Sequence, residues 1–215
     1  MGCPDCNGTR SDIAGKASGV VLEIGFGSGY NLPFYKNVKK LYALEPSQEI
    51  YDLGKDRVAS AALPVEYFKS SAEDIPLPDH SVDDVVSTWV LCSIPDAKKA
   101  LKEIARILKP SGRFIFVEHG LTQNRFMAMI QRLITPVTSK FTGNCHLDRK
   151  IDDLIAESGF RFESLEKFPE SGRPLMFSYR GVAVVRLPYS DDRPHGDHGD
   201  ERAGALEEPE LGRAA

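Results

Sequence analysis

VVLEIGFGSGYNLPFY, residues 20–35, joins an apolar, β-branched run to a turn in which Glu23, Gly25, Gly27 and Gly29 fall at alternate positions. A buried strand that ends in such a turn lets a nucleoside-type ligand approach bare backbone, because glycine has no Cβ to block it and tolerates strained φ/ψ. The spacing narrows the choice of ligand. A dinucleotide fingerprint continues G-x-G-x-x-G, but the next glycine falls one residue early, at Gly29, and Tyr30 holds the required position. That counts against NAD and FAD.

Working outward from this turn, strand and helix patterns alternate to the C-terminal part of the chain, as a doubly wound α/β sheet requires. The first strand is expected near 20–25, a short helix interrupted near Pro33 over 30–37, and a second strand over 40–45. Ser47 is placed to N-cap a helix running to about Ala62, and strands follow over 64–69 and 81–88. Ala97, Ala100, Leu101, Ile104, Ile107 and Leu108 recur at helical spacing until Lys109-Pro110-Ser111-Gly112 stops them. A fifth strand (113–119), helices over 123–134 and 147–158, and strands near 161–168 and 177–186 complete the order. No helix separates the last two strands, so they are expected to close an otherwise parallel seven-stranded sheet as an antiparallel pair. Ligands of open α/β sheets bind outside the carboxyl ends of the strands, so functional residues are sought there.

The 215 residues, 41% hydrophobic and 27% charged, suffice for one sizeable core. Residues 1–18 read as a polar leader, 19–187 as the catalytic domain, and 188–215 as an acidic, disordered tail with eight acidic side chains against three arginines. The remainder is close to neutral and offers no basic face for nucleic acid. No stretch has the apolar length of a membrane span, and the N-terminus lacks the apolar centre of a signal peptide, so a cytoplasmic location is expected. No metal site is expected. Cys3 and Cys6 form a lone C-x-x-C without a second pair, and His195 and His198 read as solvated. Cys92 and Cys145 stand apart and read as packed small apolar residues.

At the strand ends, Glu45 closes the second strand, where an acidic side chain accepts hydrogen bonds from both ribose hydroxyls. Ser70-Ser71-Ala72-Glu73-Asp74-Ile75-Pro76 follows the third strand, Trp89 the fourth, and Glu118-His119-Gly120 ends the fifth. The run E-x-G-x-G-x-G resembles the cofactor loop of class I S-adenosylmethionine (SAM) methyltransferases, whose fold is Rossmann-like. Leu108-Lys109-Pro110-Ser111-Gly112 before an apolar strand resembles the methyltransferase type 11 group. With VLCSIPD, EHG and Gly143-Asn144-Cys145-His146-Leu147-Asp148-Arg149, the chain further resembles bacterial relatives of the mammalian methyltransferase-like thiol methyltransferases over about residues 19–187.

This resemblance implies SAM as cofactor and S-adenosylhomocysteine as product, with Glu23, the three glycines and Tyr30 around the methionine moiety, and Glu45 on the ribose. It implies an adenine loop formed by Ser71, Ala72, Glu73 and Asp74. Ser71 stands where the family carries Asp, which leaves the Ala72 amide for the ring and Glu73 or Asp74 for the amine. Trp89 and Tyr30 are expected to wall the methionine end. The acceptor is expected to be a small lipophilic molecule, most simply a thiol; an amine lipid or a quinone-like ring is the alternative, and a SAM-binding regulatory module without activity a further one. Peripheral membrane contact is compatible with such acceptors. Methyl transfer needs alignment and exclusion of water more than chemistry from side chains, and His119, His146 and Asp74 are the candidates for a base or a positioning role. The family's N-terminal segment covers the active site. Fewer than about twenty residues precede the first strand here, so the lid is expected to be absent, supplied by a partner chain, or lost from the start of the chain. The sequence does not give the oligomeric state.

Overall fold

The computed structural model describes residues 6–170, 172–173 and 175–186. Seven strands, β1 (Ser18–Ile24), β2 (Asn37–Leu44), β3 (Val65–Phe68), β4 (Val82–Thr88), β5 (Leu108–His119), β6 (Phe160–Pro169) and β7 (Phe177–Val185), form one sheet in the order β3-β2-β1-β4-β5-β7-β6. The first five run parallel, and β7 runs antiparallel to both β5 and β6. This is the doubly wound sheet with an antiparallel ending that the sequence pattern predicts.

Side chains of successive strand residues point to opposite faces, and each face has its own core. Leu22, Ile24, Phe114 and Phe116 pack on one side with α4 (Ala97–Ile107) and α6 (Ile151–Glu157). Val21, Val86, Ile115 and Val117 pack on the other with α1 (Cys6–Ala14), a 3-10 turn at Leu32–Phe34, and Tyr51 and Val58 from α2 (Gln48–Asp52) and α3 (Lys55–Ala59). α4 starts where Asp96 accepts a hydrogen bond from the Lys99 amide, a side-chain N-cap. Ser47 caps α2 in the same way through Ile50.

Five boundaries differ from the sequence pattern. The expected helix over 47–62 is broken into α2 and α3 at Gly54, whose missing side chain lets the chain lie against the Ser28 backbone. Residues 30–37 form only the short 3-10 turn, because β2 already begins at Asn37. β5 begins at Leu108, with Lys109–Gly112 looped out between the pairs Val82–Leu108 and Asp84–Arg113. α5 (Arg125–Thr138) runs past 134, and α6 starts only at Ile151.

The stretch read as a polar leader carries α1, and Ile13, Ala14 and Ala17 are fully buried against the sheet. Only these few apolar residues mark it in sequence. The acidic stretch 188–215, with His195 and His198, lies outside the described residues, as do Cys3 and the side chain of Cys6.

Candidate active site

The loop after β1 carries three left-handed glycines, with φ of +58° at Gly25, +60° at Gly27 and +77° at Gly29. A side chain at Gly25 would collide with both γ-methyls of Val90, and one at Gly29 would press tightly on Phe26 and Leu32. Gly27 differs: a Cβ there meets nothing nearer than the Gly25 carbonyl at 3.8 Å, so this glycine faces open space. Glu45, just past β2, holds the loop from beside. Its Oε2 accepts from the Gly27 amide at 3.0 Å and its Oε1 from the Ser47 amide at 3.0 Å.

Beneath the loop, Glu23 is buried at 1% exposure and accepts hydrogen bonds from Asn31 Nδ2 (2.7 Å) and the Tyr35 hydroxyl (2.7 Å). Arg10 of α1 donates to Asn31 Oδ1 and lies over Trp89, its guanidinium carbon 4.9 Å from the ring centroid. Arg57 stacks at 4.3 Å on Tyr30, which is more than half exposed. Trp89 is itself left-handed, at φ +57°, and its buried indole N–H has no acceptor among the described residues. Glu23 is thus linked through Asn31 to Arg10, and Arg10 to the rings of Tyr30 and Trp89, while Glu45 holds the Gly27 amide; Arg10 is a neighbour that the sequence pattern did not mark.

Burial drives the Glu23 carboxyl up to about 7, partly offset by the Tyr35 and Asn31 hydrogen bonds and by Arg10. Its ordinary value is 4.5, so between these pH values the folded chain holds a proton that the unfolded chain has released. The stability this group contributes is therefore fully present below about pH 4.5 and lost as pH rises to 7, by about 3 kcal/mol. Urea unfolding of the ligand-free protein is expected to lose that much more between acidic and mildly alkaline pH than Glu23→Gln does. Parallel pH profiles for the two proteins would contradict this.

After β3, Glu73 turns inward. Its carboxylate accepts from Ser71 Oγ at 2.7 Å and from the Asp96 amide at 2.7 Å, which fixes the 70–75 turn against the start of α4. Ala72 is buried and Asp74 is exposed. Tyr67 of β3 donates to the Glu45 carbonyl at 2.9 Å and so ties β3 to the residue that holds the glycine loop.

The ends of β4 and β5 form the other half of the site. Glu118 is fully buried and accepts from Ser87 Oγ (2.5 Å), the Val90 amide (3.2 Å) and the Cys92 amide (3.2 Å), so one carboxylate staples the turn 89–92. Burial pushes its pKa up, against the pull of these hydrogen bonds. Cys92 and Cys145, 53 residues apart in sequence, face each other with sulfurs 3.5 Å apart. His119 lies beside them, 6.0 Å ring to ring from Trp89, with Nε2 at 3.1 Å from Glu170 Oε1; Glu170 also accepts from Ser178 Oγ. Burial opposes charge on His119, but Cys92 and Glu170 outweigh it and hold its pKa near 9.

His146 donates its amide to the Cys92 carbonyl (2.8 Å), and its ring contacts Asn144 Oδ1 (3.3 Å). His119 therefore borders Cys92 with its ring and His146 with its backbone amide, whereas Asp74 is exposed on a different turn. Arg149 donates to three backbone carbonyls, of Leu91, Ile94 and Pro95, and so holds the 91–95 turn.

A family model described as a methyltransferase domain, of type 11, matches residues 22–116. The chain is 32% identical to thiol S-methyltransferase TMT1B of Rattus norvegicus over 169 residues, 77% of this chain and 67% of that protein. The chain belongs to the class I SAM-dependent methyltransferases. This methyltransferase is also 26% identical to a phosphatidylethanolamine N-methyltransferase of Cereibacter sphaeroides, over 71% of this chain and 74% of that one. Its fold matches the crystal structure of the YcgJ protein from Bacillus subtilis with a TM-score of 0.67 at 15% identity, over 85% of this chain and 98% of that one.

The cofactor of the methyltransferase is SAM, and the residues present suit it. Open space in front of Gly27, a carboxylate at the end of β2 and an unpartnered indole N–H beside the loop are what a nucleoside and an amino-acid carboxylate would complete. Among the described residues no helix is long and apolar enough to cross a membrane. Arg10, Asn31, Glu118 and Glu170 escape sequence reading because each acts through a partner distant in the chain. Only the position of Glu118 directly before His119 at a strand end offered a local signal.

Proposed function

We propose that this methyltransferase transfers the methyl group of SAM to the sulfur of a small, lipophilic thiol. The observation that carries the reading is its 32% identity, over 77% of the chain, to a thiol S-methyltransferase. The acceptor side suits it: Trp89, Cys92, Cys145 and His119 offer soft, polarisable walls to a soft sulfur nucleophile. Bound SAM supplies an electrophilic methyl group on its sulfonium sulfur. Glu45 accepts the ribose hydroxyls, the Gly27 backbone leaves room for the nucleoside, and Glu23 holds the loop in place through Asn31. The Ala72 amide and its turn, formed by Ser71, Glu73 and Asp74, border the adenine, while Tyr30 and Trp89 wall the methionine end. A thiol is already a few per cent ionised near neutral pH, so alignment and exclusion of water are the main demands on the protein. His119 meets them as a positioning group beside Cys92, and the His146 amide by fixing the Cys92 carbonyl.

Glu45→Ala is expected to weaken SAM binding by about 1–3 kcal/mol through loss of the ribose hydrogen bonds. Titration calorimetry on the folded variant checks this, and unchanged affinity would remove Glu45 from the site. Labelled methyl transfer to a panel of thiols, amines and phenols tests the acceptor. Transfer to amines or phenols with none to thiols would overturn the reading.

A second reading, methylation of a lipid-borne amine, is favoured by α5. Phe126, Met129, Leu133 and Val137 are exposed along it, and Phe141 just beyond it. Arg125, Arg132 and Lys140 flank this stripe, with no acidic residue between Gly120 and Leu147. An apolar stripe edged by cations suits the interface of an anionic membrane. Transfer to phosphatidylethanolamine in anionic vesicles, lost in Leu133→Glu, is the outcome that reading requires.

A further inference from the structure

We propose that Cys92, Cys145 and His119 form a zinc(II) site with two thiolate ligands and one imidazole, whose open fourth position seats the thiol acceptor. The metal site stands on the structure alone, and the seating of a thiol rests in addition on the function proposed above. Among the described residues these three make the one group of His, Cys, Asp or Glu ligands close enough to share an ion, with ligand atoms all within 4.8 Å of one another. They come from three separate elements: the turn after β4, the end of β5 and the segment between α5 and α6.

Four features distinguish the cluster from a chance meeting of small side chains. The sulfurs are 3.5 Å apart, close to the edge of about 3.8 Å that a tetrahedral zinc with bonds of about 2.3 Å imposes. The separation is well beyond the roughly 2.05 Å of a disulfide. His119 is held at Nε2 by Glu170, which Ser178 holds in turn. A carboxylate that orients a histidine for its metal is the usual outer support of such a ligand, and a packed pair of cysteines has no use for it. Cys92 is fixed from behind, its amide bonded to Glu118 and its carbonyl to the His146 amide. Finally, His119 and Cys145 are partly exposed whereas Cys92 is buried, so the cluster opens to solvent on one side.

Soft thiolates with one imidazole select zinc over the hard divalent cations, and three protein ligands leave a fourth position for water or substrate. Two thiolates neutralise the ion, so a half-buried site carries no net charge. On loading, Cys92, Cys145 and the imidazolium of His119 each release one proton to solvent, and the neutral His119 ring then supplies a lone pair. An incoming thiol displaces water, releases one further proton and lies bound as thiolate. No oxidant or reductant takes part.

The test uses the full chain, purified without chelator. About one zinc per chain is expected by mass spectrometric metal analysis, and cobalt(II) replacement is expected to give thiolate-to-metal charge transfer with the visible bands of a tetrahedral ion. Cys145→Ser and His119→Ala should each lower zinc affinity at least about tenfold, while SAM binding by calorimetry reports that the variants still fold. A chain that binds SAM but retains no zinc, takes cobalt without charge transfer, or has an intact mass showing a Cys92–Cys145 disulfide under reducing preparation overturns the site. A small thiol added to the cobalt form should shift its charge-transfer band, whereas an amine of similar size should not. If zinc is present and only amines are methylated, the thiol reading fails and the metal site stands. If thiols are methylated at an unchanged rate after the zinc is stripped, the thiol reading stands and the acceptor seat fails.

Discussion

Gly27→Ala is expected to leave the chain folded and to weaken SAM binding by about 10- to 100-fold, whereas Gly25→Ala is expected to damage the fold itself. Both positions are left-handed, at φ +60° and +58°, so either alanine costs about 1–2 kcal/mol of backbone strain. They differ in what the new methyl meets. At Gly27 it projects into open space, where the nucleoside must approach. At Gly25 it runs into Val90, which is branched at Cβ and whose amide is held by Glu118, so the neighbour cannot yield cheaply. Overpacking there adds about 1–3 kcal/mol. For a domain of this size the Gly25 variant should lose roughly 5–15 °C in Tm. Thermal unfolding and calorimetry with SAM separate the two effects, and a Gly27→Ala protein with undiminished affinity would place the cofactor elsewhere.

Glu118→Ala is expected to destabilise the methyltransferase by about 3 kcal/mol, lowering Tm by roughly 6–12 °C. The carboxylate is fully buried, and every group bonded to it is a donor: Ser87 Oγ and the amides of Val90 and Cys92. Removing it leaves these buried or partly buried donors without their acceptor. Glu118→Gln should recover less than half the loss, because its amide nitrogen would face an N–H. SAM affinity is expected to fall as well, since the released turn carries Trp89 and Val90 against the glycine loop. The reading of Glu118 as a staple would not survive a Glu118→Ala protein that melts within about 2 °C of the parent.

The two variants act on parts of the site that differ in how visible they are in the sequence. The glycine loop is a local feature: three φ-positive positions and the preceding strand lie within residues 18–29, so spacing alone announces them. Asp96 and Ser47 as helix caps are local for the same reason. α1 is less visible, because a nine-residue helix whose buried residues, among the described side chains, are Ile13 and Ala14 leaves little periodic trace. The break at Gly54 was hidden too, since it depends on how close Ser28 lies across the fold.

Sequence by itself determined the class of fold, the succession of strands and helices along the chain, the antiparallel ending and the place of the cofactor loop. Each of these is written in short-range spacing: period two in the strands, 3.6 in the helices, and glycines where the backbone turns left-handed. Tertiary structure alone decided what surrounds that loop. It brought Arg10 over Trp89, set Glu118 beneath the 89–92 turn, and placed Cys92, His119 and Cys145 within ligand distance of one another. Those contacts join residues tens of positions apart. The parallel crossovers of the sheet collect them at the carboxyl ends of β4 and β5, and no spacing along the chain encodes where a crossover returns.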